Sequence, residues 1–505
     1  MTPLAPSPEP ERVVDRRRNR IPRVIAHAAC AVGAWLVHQR IPVHFFWGDD
    51  WAFLNGVRQL GLERLTEPVH WYFQPVSWRV YFVAMHALVG FDPVAFDLAQ
   101  VVLLFAVGAL AFEIVTHATR RPALGLLAVA YLARTAAFAL VAGWASCIAY
   151  VLALLFELAT LLVALRACAD RRPPSVWLAT AACVLFALSW LSKNSTLLFP
   201  LPLAVMLLAP IAERGRRVVE ALLACTGLSI VYYALALAPH QPTASSGLFS
   251  VESLARTWSA LVWRLPSTLD ARFYGFLAPP LLDSWVACAV LRAALAVLAL
   301  RAVLAMLRRR DAESATAVAL ASLAVVDVVL TAPVNLDRAI FQAQVAYPIA
   351  VAVLVSGAFP WRWRGLGGAW ARRRIEPWLR ALPSALAALV LVAAAARFED
   401  PYVDAKREML CQWRQLTQRM IDDPSVRPVV GRAPPERADW FPVMAEVFWG
   451  PFADTPLAQL PPADLDARTL GVRVGNSILR VPYGRAGVGC ELPAPDTPSI
   501  VAASP

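Results

Sequence analysis

Long apolar runs separated by short polar breaks dominate the chain. A membrane helix needs about 20 mostly apolar residues. Residues 22–40, 93–115, 122–141, 147–166, 175–192, 196–211, 218–238, 284–306, 314–333, 340–359 and 382–397 come near that requirement. The pattern predicts an all-α polytopic membrane protein with about 11 transmembrane helices, occupying residues 21–397. Within it, residues 41–92 and 239–283 are too long to be simple connectors. The first is rich in aromatics and includes an apolar stretch, 80–91, that is too short to span and reads as a helix lying along the membrane surface.

Beyond residue 397 the pattern changes. Residues 398–505 are rich in proline and in charges of both signs, the composition of water-exposed structure. A small mixed α/β domain is expected there, with a helix near 403–421 on which Met409, Leu410, Trp413, Leu416 and Met420 recur at helical spacing.

Composition narrows the class. Of 505 residues, 58% are apolar and only 16% charged, and the mean hydropathy is +0.54. An ordinary cytosolic enzyme and a disordered chain are both excluded, since typical soluble domains carry about 25% charged residues. The net charge of +11 would suit a nucleic-acid partner if it formed one face. Instead the arginines fall in blocks between apolar runs: Arg16–Arg18 with Arg20, Arg120–Arg121, Arg171–Arg172, Arg214 with Arg216–Arg217, Arg308–Arg310 and Arg372–Arg374. If residues 1–20 form a disordered cytoplasmic tail, all six blocks are cytoplasmic, which is the positive-inside pattern. The loops 41–92 and 239–283 and the tail 398–505 then face outward.

The first run lacks a small-residue cleavage site and reads as a retained anchor. Heavy use of arginine, with lysine only at 193 and 406, points to a GC-rich bacterial genome and hence to the bacterial cytoplasmic membrane. Cys411 and Cys490 are the two cysteines of the outward tail and are candidates for a disulfide, with two unpaired thiols as the alternative.

Candidate chemistry gathers at the outward ends of the runs. The loop 41–92 opens with His44-Phe45-Phe46-Trp47-Gly48-Asp49-Asp50-Trp51. Adjacent carboxylates in an aromatic surround push their protonation apart, which suits a general base; an aromatic belt around two solvated aspartates is the alternative. Farther along come His70 and Gln74, again among aromatics. Lys193, in Ser192-Lys193-Asn194-Ser195-Thr196, is a compact cation placed against the positive-inside trend; it suits a phosphate at the membrane surface or snorkels to the interface. Arg338 lies in a short outward loop, either as a second phosphate contact or as the partner of Asp337. Glu113 and Glu157, placed inside runs, must face other helices or water.

In order and sidedness these features resemble the C-type superfamily (GT-C) of integral membrane glycosyltransferases, which includes protein O-mannosyltransferases and the aminoarabinose transferases of lipid A. An acidic pair opens the first outward loop of that superfamily, as Asp49-Asp50 does here, and Ser192-Lys193 followed by Pro200 is similar to its later Ser/Thr-Lys motif. Tyr72-Phe73-Gln74-Pro75-Val76 stands where the superfamily carries an arginine, so Gln74 departs from it. Arg338 precedes Ala339 where a tyrosine is usual.

The resemblance implies a polyprenyl-phosphate sugar donor and transfer to a hydroxyl of a glycan, lipid or protein with inversion. It implies Asp49 and Asp50 as catalytic residues with Asp49 the base, Lys193 and Arg338 at the donor phosphate, and Trp51, His70 and Gln74 at the substrate. Some members hold a divalent cation and others do not. A flippase for a lipid-linked saccharide, or a membrane scaffold recruiting partners through its tail, would fit the same layout without needing a base.

Overall fold

A computed structural model describes residues 20–46, 50, 53–54, 74–90, 92–170, 172–237, 285–309, 312–331, 341–358, 369–404 and 406–407, together with three strands between 463 and 482. Asp49, Trp51, His70, Arg338, Cys411 and Cys490 lie outside the described residues, as do the loop 239–283 and most of the tail.

The protein is mostly helical. Helix α1 (Arg20–Arg40) is followed by a π-helical turn, Pro75–Tyr81, that runs directly into α2 (Phe82–Val89). Then come α3 (Pro93–Thr119), α4 (Pro122–Leu132), α5 (Ala136–Ala142), α6 (Ile148–Ala169) and α7 (Val176–Ser192). After two 3-10 segments, Asn194–Thr196 and Leu201–Leu208, the chain continues through α8 (Glu213–Tyr232), α9 (Trp285–Arg309), α10 (Ala312–Thr331), α11 (Phe341–Ala358) and α12 (Ala369–Ala395).

Among the described residues, four helical stretches are long and apolar enough to cross a membrane: Arg20–Arg40, Pro93–Thr119, Ala145–Ala169 and Glu213–Leu235. The third is 78% buried inside the protein and the fourth only 28%, so α6 is central and α8 peripheral.

Two apolar runs depart from the single helices expected. The run 122–141 breaks at Ala133–Thr135, where the Thr135 hydroxyl accepts a hydrogen bond from the Phe138 amide at 3.1 Å and starts α5. The run 196–211 is 3-10 and not α-helical. Pro200 and Pro202 each lack the amide proton that an α-helical ladder would need there. Helix α3 shows the opposite situation: Asp92 caps it by accepting from the Val94 and Ala95 amides at 2.9 and 3.4 Å, and Pro93 fits its first turn.

Helix α3 packs against α1, α4, α6 and α11, and α12 closes over α1 and α4. Small residues permit the close approaches. A Cβ at Gly125 of α4 would lie 2.8 Å from the Phe112 carbonyl oxygen of α3, and one at Gly33 of α1 would lie 2.5 Å from the Phe105 ring.

One end of the bundle carries ion pairs. Glu113 meets Arg23 at 3.2 Å and Arg166 at 2.9 Å, and Asp170 meets Arg214 at 3.0 Å. Glu113 thus faces neighbouring helices at the bundle's end, and Glu157 is fully buried within α6.

In the tail, β1 (Ala463–Leu465), β2 (Thr469–Val474) and β3 (Ser477–Pro482) form an antiparallel sheet in the order β1-β2-β3. Val474 pairs with Ser477, leaving Gly475-Asn476 between the two strands. Of the helix expected near 403–421, residues 403–404 and 406–407 are described and helical.

Candidate functional site at the polar end of the bundle

The end opposite the ion pairs is built around the start of α6. Gln100, buried on α3, donates through Nε2 to the carbonyl oxygens of Val141 and Trp144, at 2.8 and 3.1 Å, and so fixes the turn that leads from α5 into α6. The Ser146 amide in that turn donates to Asp50 Oδ1 at 2.6 Å. Asp50 is only 2% exposed. Its carboxylate therefore sits where a helix start presents free amides and positive dipole, a setting that favours an anion.

One turn along α6, Tyr150 presents its ring to Lys193, whose Nζ lies 3.9 Å from the ring centroid. Ser146 lies in the 3-10 turn Ala145–Cys147 that leads into α6, four residues before Tyr150. Asp50 and Lys193, far apart in sequence, thus contact the turn before α6 and the first turn of α6 respectively.

The segment around Lys193 is tied down from several sides. The Ser189 hydroxyl donates to the Ala153 carbonyl of α6 at 2.8 Å. The Ser77 hydroxyl, in the π-helical turn, donates to the Ser192 carbonyl at 2.8 Å, which brings that turn against the end of α7. Gln74 immediately precedes the π-helical turn, is 4% exposed, and has a buried side-chain oxygen without a hydrogen-bond partner. Ser195 donates to Gln342 Oε1 at 2.6 Å, which docks the start of α11 onto the same segment. Gln342 is fully buried and follows Arg338 by four residues in sequence.

Apolar packing ties Phe53 to the π-helical turn and α2. Phe53 stacks on Trp78 with ring centroids 4.5 Å apart and contacts Phe82 at 5.5 Å. Phe82 is fully buried, whereas Leu88 is 78% exposed, so α2 has one packed and one open side.

Three groups at this end carried no assignment from sequence. Asp97, on α3, accepts from His44 Nδ1 at 2.9 Å, and His44 stacks on His38 at 5.0 Å. Tyr81 is partly buried with its phenol oxygen enclosed; desolvation, followed by the charges of Asp97 and Asp50, raises its phenol well above the ordinary value. Lys406, 1% exposed, contacts Asp400 Oδ2 at 3.1 Å. Burial pulls its ammonium down, but Asp97, Asp400 and Asp50 together outweigh this, and its pKa is raised above the ordinary 10.5. The signal for Lys406 was its rarity, shared with Lys193. Asp97 sat unremarked inside an apolar run.

Of the site residues singled out from sequence, Asp50, Gln74 and Lys193 are described: Asp50 on the Ser146 amide, Lys193 over Tyr150, and Gln74 next to the turn whose Ser77 bonds Ser192. Among the described residues no three His, Cys, Asp or Glu side chains gather in a way that could hold a metal ion.

No protein-family model matches the chain, and no curated protein matches it. Among solved structures, it is similar to the Archaeoglobus fulgidus oligosaccharyltransferase in complex with Zn and sulfate, at a TM-score of 0.43 and 13% identity over 79% of this chain and 55% of that one. It is likewise similar to the oligosaccharyltransferase AglB from Archaeoglobus fulgidus in complex with an inhibitory peptide and a dolichol-phosphate, at a TM-score of 0.42 and 13% identity, over 79% and 58% of the two chains. The chain spans little more than half the length of either protein, and likeness this distant transfers no residue role.

Proposed function

We propose that the protein transfers a sugar from a polyprenyl-phosphate donor to an acceptor hydroxyl at the outer face of the bacterial cytoplasmic membrane. Its N-terminus would then be cytoplasmic and its tail extracytoplasmic. The observation that carries this reading is that the start of α6 and the turn before it receive both Asp50, on the Ser146 amide, and Lys193, over the Tyr150 ring. A carboxylate held by a backbone amide and an ammonium are both placed at this end of the bundle.

In this reading the donor lies between helices with its phosphate against Lys193 and Arg338. Asp49, adjacent to the anchored Asp50, takes the proton of the acceptor hydroxyl. The hydroxyl oxygen attacks the anomeric carbon as the bond to the phosphate oxygen breaks, and the lipid phosphate departs with the bonding electrons. Configuration at that carbon inverts. Lys193 and Arg338 stabilise the charge that grows on the leaving phosphate, a contribution of about 3 kcal/mol for a well-placed donor. Asp50 keeps the loop in register on the Ser146 amide. Trp51, His70 and Gln74 shape the acceptor and sugar side of the site.

Asp49→Asn tests the assignment. Transfer should fall by about 10²-fold or more while binding of the polyprenyl-phosphate sugar persists. Retained turnover would remove Asp49 as the base, whereas a wild-type chain that binds the donor lipid without transferring sugar would favour lipid transport.

A further inference from the structure

The segment after α12 returns to the start of α6 and grips the turn that holds Asp50. The Arg397 carbonyl accepts from Arg134 Nη1 at 3.0 Å, which fixes where the segment begins. Asp400 folds back on itself, its Oδ1 accepting from the Tyr402 amide at 2.9 Å. Tyr402 meets the Trp144 ring edge to face at 5.4 Å.

Gly143 makes room for Asp400: a Cβ there would stand 2.6 Å from its Oδ1. Residues 143 and 144 thus contact the returning segment, and residue 146 contacts Asp50. Lys406 closes the arrangement, with its side chain 1% exposed and that of Asp400 fully buried.

We infer that the segment 397–407 completes the site, with Lys406 as a positioning residue that, through Asp400 and the turn 143–146, holds Asp50 in place. The carboxylates at this end are Asp50, Asp97 and Asp400, with His44 on Asp97, His38 stacked on His44, and the partly buried Tyr81 feeling the charges of Asp97 and Asp50. Lys193, over Tyr150, and the buried Arg79 of the π-helical turn also lie at this end, and Lys406 is the ammonium in contact with Asp400. Without it, Asp400 is a buried charge with no counterion, and the segment must shift or take up a proton. Either event loosens the turn to which Asp50 is bonded. The raised pKa of Lys406 agrees with an ammonium that stays charged here.

The kinetic consequence rests on the sugar-transfer reading; the coupling of Lys406 to Asp50 does not. The test uses the full chain in detergent. Asp50→Asn, Lys406→Met and the double variant are unfolded in mixed micelles, and the two losses should be non-additive. Additive losses overturn the inference whether or not the protein transfers sugar.

In the transfer assay, Lys406→Met should lower kcat about tenfold or more with the donor KM changed less than about twofold. It should also move the acidic limb of the kcat profile to higher pH, since removing a cation makes neighbouring carboxylates harder to ionise. Lys406→Arg should restore the limb. A folded Lys406→Met with unchanged kcat and limb overturns the inference. Should Lys406→Met fail to fold, Asp400→Asn keeps the ammonium and should still lower kcat, by about threefold to tenfold, with a displaced limb; no change there is equally fatal. A wild-type chain inactive with polyprenyl-phosphate sugars refutes the transfer reading and leaves the stability cycle to decide this one.

Discussion

Adding one methyl group at Gly143 probes the junction between the tail and the membrane bundle. Gly143 has φ −90° and ψ 5°, a conformation any residue adopts, so alanine brings no backbone strain. On chain entropy alone Gly143→Ala should stabilise by about 0.4–1 kcal/mol. The folded structure opposes this. The new Cβ would sit 2.6 Å from Asp400 Oδ1, 3.3 Å from its Cγ and 3.4 Å from Tyr402 Cδ2. Asp400 cannot swing aside freely, because its two oxygens hold the Tyr402 amide and the Lys406 ammonium.

Overpacking of this kind costs about 1–3 kcal/mol, and full rupture of a buried ion pair about 3–5 kcal/mol. The net expectation is a loss of about 1–2 kcal/mol, if the segment shifts without releasing Lys406. Unfolding of the purified protein in mixed SDS–detergent micelles measures it, with Gly227→Ala as the control, since a Cβ there meets nothing within 4 Å. A Gly143→Ala variant as stable as wild type, or more stable, would refute the docking of Asp400 onto this turn.

Three other outcomes are expected. Gln342→Leu leaves the Ser195 hydroxyl without its acceptor and should cost about 1–3 kcal/mol while raising the donor KM, because it frees the start of α11 that leads back to Arg338; an unchanged KM would separate Arg338 from the donor. Lys406 has a folded pKa above its ordinary 10.5, so its contribution is complete below 10.5 and is lost as the pH climbs through the folded value. Tyr81 shifts in the same direction, so comparison with Lys406→Met isolates the lysine: wild type should lose stability more steeply above pH 10.5. In the tail, Cys411 and Cys490 should resist alkylation until reduced; two freely reacting thiols in protein made under oxidising conditions would show that they are unpaired.

Much of the helical layout could be read from the sequence because lipid imposes a simple requirement: backbone groups must bond internally over long apolar stretches. The apolar runs at 93–115, 147–166 and 218–238 coincide with α3, α6 and α8. Local rules also explain the departures. Thr135 divides one run, and two prolines turn another into 3-10 helix. Both signals were present in the sequence but outweighed by hydropathy averaged over the run.

The site divides differently. Asp50, Gln74 and Lys193 stood out because polar residues flanking apolar runs are costly unless they have a role. Their juxtaposition was not legible, because it depends on which helices are neighbours, and hydropathy carries no pairing information. Ser77 on Ser192 and Ser195 on Gln342 are ordinary residues that become informative only once α7, α11 and the π-helical turn are in contact.

Hydropathy and charge by themselves determined a mostly helical chain with stretches long and apolar enough to cross a membrane and with polar residues at the ends of its apolar runs. Tertiary structure alone decided that Asp97 and Lys406, one within an apolar run and the other in the tail, belong with Asp50. The reason is range. Burial and helix formation are set by neighbours a few residues apart, whereas a buried charge is tolerated only by partners the fold brings from anywhere in the chain.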